Sequence, residues 1–198
     1  ANRASVSEQS EEQKMVKKVA VSSFLGNFIE WFDYASYSYF ATTIALVFFP
    51  SDNHTIAMLQ TFGVFALSFV LRPIGALFWG NLGDKKGRKD ALAISIMFMS
   101  GASFLIGCLP SYAAIGIFAP VLLLLLRMVQ GFSASGEYAG AATFLGEYAP
   151  TKKRGIYCSL IPASTAIGLL AGSTLATVMT ASLSSDALTS WGWRIPFL

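Results

Sequence analysis

Five long apolar stretches, each bounded by a few polar or turn-forming residues, set the pattern of this chain. They run over about Val19–Phe49, Ile56–Leu82, Ala91–Leu109, Ile115–Tyr148 and Ile156–Leu183, and a sixth starts at Trp193. A helix rises about 1.5 Å per residue, so about 20 residues cross a hydrocarbon layer. The pattern therefore predicts an all-α integral membrane protein with five full spans and the start of another. Residues 1–18 are polar and mixed in charge and form a tail ahead of the first span. Pro50-Ser51-Asp52-Asn53-His54 and Pro110-Ser111-Tyr112 are turn sequences between spans. Trp191-Gly192-Trp193-Arg194 reads as an interfacial start to the sixth.

The apolar pattern is broken in three informative places. In the first span Asn27, Glu30, Tyr34 and Tyr37 follow i, i+3, i+7, i+10 spacing, with Asp33 beside them. That is one polar stripe on an otherwise greasy helix. A charge at that depth costs a few kcal/mol or more, so such groups face a water-filled cavity or a partner. A polar clamp between helices, with no transport role, is the structural alternative. The second span holds Arg72-Pro73, which predicts a kink or an arginine at a cavity wall. The fourth holds Arg127-Met128-Val129-Gln130-Gly131, then Gly136-Glu137-Tyr138 and Gly140. Arg127 falls at a depth similar to Glu30 and Asp33 and needs an anion, from the protein or from a substrate. Glu137 lies ten residues on, about 15 Å lower and on another face, so it does not pair with Arg127 directly. The glycines there are read as packing positions that let helices approach closely.

Composition agrees. The chain of 198 residues is 54% apolar and 13% charged, against about 25% charged in soluble domains. The net charge of +3 follows the membrane and is no nucleic-acid signal. Arg3, Lys14, Lys17 and Lys18 lie in the tail, Lys85, Lys86, Arg88 and Lys89 after the second span, and Lys152, Lys153 and Arg154 after the fourth. The turns after the first and third spans carry no lysine or arginine. The positive-inside rule then places the N-terminus and both basic loops in the cytoplasm. Cys108 and Cys158 fall in or at the ends of apolar spans and read as small hydrophobes. His54 is the lone histidine, in a turn, so no metal site is expected. No Ser/His, Cys/His or metal constellation points to an enzyme. No cleavable signal peptide is visible. The chain stops about five residues into its sixth apolar segment and lacks an initiator methionine, and is expected to be a piece of a larger protein.

The short loop Gly80-Asn81-Leu82-Gly83-Asp84-Lys85-Lys86-Gly87-Arg88-Lys89 has the glycines for a tight turn. Asp84 can cap a helix end or pair with Arg88 and latch two helix ends together. Asp84, Arg88 and Lys89, with Arg72, are therefore candidate gating residues. This loop resembles the signature loop between spans 2 and 3 of the major facilitator superfamily, and Arg127-x-x-Gln130-Gly131 resembles that superfamily's span 4 motif. More narrowly, Gly26-Asn27-x-x-Glu30-Trp31-Phe32-Asp33, Arg72-Pro73-x-Gly75, Gln130-Gly131-Phe132-Ser133 with Gly136-Glu137-Tyr138, and Trp191 to Phe197 resemble the metabolite:proton symporter family. That family carries proline/betaine, 2-oxoglutarate, citrate and shikimate. The match covers nearly all of residues 20–198. The resemblance implies twelve spans in two six-helix halves, each built of 3+3 inverted repeats, with substrate between the halves. This chain holds the first half; the C-terminal half is an expected partner.

The expected function is a proton-coupled secondary transporter working by alternating access in a bacterial inner membrane, with the proton as coupling ion and no other cofactor. Glu30, Asp33 and Glu137 are the candidates for the coupling proton. Arg127 is expected to meet a substrate carboxylate or a carboxylate of the protein. Asn27, Tyr34, Tyr37 and Tyr138 are candidates to line the cavity. Trp31 and Phe32 offer faces to a quaternary ammonium. Two opposite charges suit a small zwitterion such as proline or glycine betaine. An organic acid is the alternative substrate, and a non-transporting receptor or subunit is the alternative class.

Overall fold

The computed structural model describes the backbone of residues 2–198 and the side chains of residues 11, 13–136, 140–142 and 145–198. In chain order the helices are α1 (Asn2–Tyr39), α2 (Ala41–Phe48), α3 (His54–Val70), α4 (Arg72–Lys86), α5 (Arg88–Cys108), α6 (Tyr112–Ile115), α7 (Phe118–Ala134), α8 (Glu137–Tyr148), α9 (Arg154–Ser182) and α10 (Ser185–Ser190). A 3₁₀ helix over Gly192–Phe197 follows, and the described residues contain no strand. Residues 54–86, 88–108 and 154–182 are long and apolar enough to cross a membrane, and α7 is a shorter apolar helix.

Local chemistry explains where these helices break. The tail joins the first span as one helix, α1, because no glycine or proline interrupts residues 1–25. The expected first span is divided at Phe40, which lies between α1 and α2. The expected second span is divided at Leu71, because Pro73 has no N–H to donate to the carbonyl of Phe69. The fourth segment begins with the single turn α6, which ends on Gly116 at a φ of 61°. Gly87, at a φ of 98°, makes the tight turn between α4 and α5. The Asn53 side chain accepts from the Thr55 N–H at 2.9 Å and caps α3. At the far end, Arg194 Nη1 donates to the carbonyls of Gly107 (3.2 Å) and Leu109, covering the C-terminus of α5.

Helix packing is close wherever glycine faces backbone. The main partner of α1 is α9. A Cβ on Gly168 would stand 2.7 Å from the Phe28 carbonyl oxygen. Against α3 and α4, α7 is closer still: a Cβ on Gly131 would stand 1.9 Å from the Ser68 carbonyl oxygen, and one on Gly75 2.3 Å from that of Phe132. Small residues at such contacts are the usual way membrane helices associate. Two apolar clusters form along α1. One gathers Val16, Val19 and Ala20 with Leu92, Leu145 and Ile161; the other gathers Tyr37, Phe40, Phe48, Ile106, Leu123 and Trp193. The basic segments meet at the first cluster's end. Lys14, Lys18 and Lys89 share one depression there, and Lys17, Lys152 and Lys153 share another.

Candidate functional site

Between the two clusters, one face of α1 presents Glu30, Asp33, Tyr34 and Tyr37, all buried. Each carboxylate meets an arginine from a different helix. Arg72, the first residue of α4, donates through Nη2 to both Glu30 Oε1 and the Tyr34 hydroxyl oxygen. Its guanidinium carbon lies 4.5 Å from the centre of the Phe69 ring and 5.3 Å from that of Tyr34. Arg127 of α7 donates through Nη1 to Asp33 Oδ2 at 3.0 Å and to Gln130 Oε1 at 2.9 Å. Gln130 Nε2 in turn donates to Asp33 Oδ2 and to Ser103 Oγ of α5, both at 2.7 Å. The Arg127 guanidinium stacks over Tyr37 at 3.9 Å and lies 5.6 Å from Phe197. The Tyr37 hydroxyl donates to the Thr61 carbonyl at 2.9 Å.

These two pairs differ in access. In the Arg127–Asp33 pair the side chains are 1% and 3% exposed. In the Arg72–Glu30 pair the glutamate is 3% exposed but the arginine 28%. A cavity of about 600 Å³ opens on the second pair, with Asn27, Glu30, Trp31, Phe69, Arg72 and Pro73 among its lining. Burying a charge is tolerated where it is paired and hydrogen-bonded; both pairs are, although Asp33 Oδ1, Arg72 Nε and Arg127 Nε and Nη2 are buried without a partner. Their four charges sum to zero. The site is thus a neutral set of separated charges beside aromatic faces.

The other sequence candidates fall as follows. Asn27 borders the cavity, but its Nδ2 is directed at α9, within reach of the Ile161 carbonyl (3.0 Å) and the Ser164 and Thr165 hydroxyls (both 2.8 Å). Trp31 packs edge-on against Tyr34. Phe32 stacks on Phe28 along α1 and is not among the cavity's lining, where Phe69 is. The side chains of Glu137 and Tyr138 lie outside the described residues. Asp84 and Arg88 join the end of α4 to the start of α5 at 3.9 Å, both exposed, a geometry worth under about 1 kcal/mol. Lys89 sits apart from them, on the depression it shares with Lys14 and Lys18. Sequence reasoning gave no role to Gln130, Ser103, Thr61 or Phe69. For Gln130 a signal existed, since it lies one helical turn after Arg127. Ser103 and Thr61 are single small polar residues in apolar runs and carry no such signal.

The chain has relatives among transporters. The chain is 43% identical over 182 residues to the proline/betaine transporter of Salmonella typhimurium, covering 92% of this chain and 36% of that protein. It is 42% identical over 182 residues to the glycine betaine/proline/ectoine/pipecolic acid transporter of Dickeya dadantii, with the same coverage. It is 44% identical over 188 residues to a putative proline/betaine transporter of Staphylococcus aureus, covering 94% of this chain and 40% of that protein. The chain thus spans well under half the length of these relatives. Its fold superimposes on a solved major facilitator superfamily proton:xylose symporter with a TM-score of 0.79 at 17% identity, covering 94% of this chain and 42% of that one. Residues 18–198 match the family model for the sugar (and other) transporters. The chain belongs to that transporter family and carries the N-terminal part of a major facilitator fold.

Proposed function

We propose that this chain is the N-terminal part of a proton-coupled carrier for a small zwitterion of the proline or glycine betaine type. The observation that carries this reading is the neutral set of charges around α1, with the Arg72–Glu30 pair opening on a cavity flanked by Trp31 and Phe69. A zwitterion brings one anion and one cation, and the cavity offers one of each. A dicarboxylate or tricarboxylate wants surplus positive charge, and both arginines of this site are already matched by carboxylates. The relatives named for proline and betaine support the same choice.

Glu30 and Asp33 are the described carboxylates placed to take the coupling proton, and Glu137 is the third candidate. A carboxylate that loses its arginine in a dry site is neutralised most simply by a proton, which links substrate movement to proton movement. Alternating access then consists of the two halves of the full carrier rocking about this site. The meeting of three basic segments at one end of the bundle supports a cytoplasmic N-terminus in a bacterial inner membrane.

The test is uptake into proteoliposomes holding the full-length carrier under an imposed inward proton gradient. The panel is proline, glycine betaine, 2-oxoglutarate, citrate and shikimate. Accumulation of proline or betaine that collapses with a protonophore is the expected result. Accumulation of an organic acid instead overturns the substrate class while keeping the mechanism, and accumulation without a proton gradient overturns the coupling.

A further inference from the structure

We propose that Arg72 is the receptor for the substrate's carboxylate, and that the carboxylate binds by taking the guanidinium from Glu30. This assignment rests on the carrier reading above and deepens it. Of the two partners expected for Arg127, a substrate carboxylate or one of the protein, it meets the second: it pairs with Asp33, is 1% exposed and is closed in by Gln130 and Tyr37. Arg72 is the arginine on the cavity wall, with 28% of its side chain exposed. Both of its hydrogen bonds leave from Nη2, and its Nε has no partner. A guanidinium presents five N–H donors in a planar fork, and a carboxylate is best held by two parallel bonds from one edge of that fork. Glu30 takes only a single bond, from Nη2, so the pair lacks the two parallel bonds that a carboxylate displacing Glu30 from that nitrogen would make. The plane is held by Phe69 at 4.5 Å and Tyr34 at 5.3 Å, so the fork is oriented before substrate arrives.

The exchange leaves the loaded site with one net positive charge, the one the coupling proton brings. Before binding, Arg72 is matched by Glu30. After it, Arg72 is matched by the substrate carboxylate, the coupling proton neutralises Glu30, and the substrate's ammonium lies against the Trp31 face on the same cavity. Among the described residues, the charged and titratable groups facing Glu30 are Arg72, Tyr34 and Asp33, and Asp33 is occupied by Arg127 and Gln130. Glutamine at position 30 then imitates the neutral form and leaves Arg72 free.

Equilibrium binding of labelled glycine betaine and proline to the full-length carrier in lipid nanodiscs tests this. Glu30→Gln should bind both about tenfold more tightly than wild type, because one charge-assisted competitor is gone. The double variant Glu30→Gln, Arg72→Gln keeps the site neutral and should bind both about 100-fold more weakly than Glu30→Gln alone. Choline, which has the quaternary ammonium without the carboxylate, should bind the double variant no more weakly than Glu30→Gln, since it offers Arg72 no anion and is repelled by an unmatched guanidinium. Glu30→Gln binding no tighter than wild type overturns the exchange. A double variant that binds betaine like Glu30→Gln overturns Arg72 as receptor while the carrier reading stands. A wild-type carrier that binds neither zwitterion overturns both.

Discussion

Arg127→Met should destabilise the bundle by about 3–5 kcal/mol, because it strands a buried carboxylate. Asp33 is among the most enclosed charges of the described residues, and its cation is Arg127 at 3.0 Å. Removing that cation leaves only Gln130 and the dry interior to hold the negative charge. Gln130 also loses a bond, since its Oε1 accepts from Arg127. The companion variant Asp33→Asn, Arg127→Met removes both charges and should recover most of the loss, because a buried pair is worth far less than the penalty for halving it. Thermal unfolding of the purified full-length carrier reads both. Equal midpoints for the single and double variants would sink the argument. Uptake separates stability from function: a double variant that folds yet fails to accumulate substrate would give Asp33 a share in coupling beside Glu30.

Gly131→Ala is the second large effect. A Cβ at position 131 would stand 1.9 Å from the Ser68 carbonyl oxygen and 2.7 Å from its carbon. Those are backbone atoms of α3, so no rotamer can relieve the overlap. Helices α3 and α7 must move apart, and the neighbouring contact of Gly75 with Phe132 must open with them. Overpacking of this kind costs about 3 kcal/mol, and here it also shifts Arg127, one turn earlier on α7. The control is Gly101→Ala in α5, where nothing stands within 4 Å. There alanine should be neutral or stabilising by up to about 1 kcal/mol, from helix propensity alone. The amount of folded carrier in membranes and its thermal midpoint distinguish the two. A Gly131→Ala carrier as stable as Gly101→Ala would mean that α3 and α7 do not touch as described.

Much of this was legible in the chain because the bilayer leaves few choices. Apolar runs of about 20 residues can only be helices there, and the stripe of Asn27, Glu30, Tyr34 and Tyr37 could only be one face of α1. What the spacing could not supply was partnership. Arg72 and Arg127 were both in view as intramembrane cations. Which carboxylate each one meets depends on how α1 is rotated between α4 and α7, and that is set by glycine contacts such as Gly168 on Phe28 and Gly131 on Ser68. A sequence shows that glycines are present, not what they touch. The breaks at Phe40 and at Ser135-Gly136 were hidden for a similar reason, since neither site carries a proline to announce it.

Within seven residues α1 sends Asn27 to α9, Glu30 to α4 and Asp33 to α7. Three neighbours thus read one helix at three angles. Adding a single residue between Glu30 and Asp33 would turn all that follows by about 100° and advance it by about 1.5 Å. The second carboxylate would then leave Arg127 while the first kept Arg72. In this short stretch the chain therefore stores a count as well as a set of side chains, and the count has no silent error.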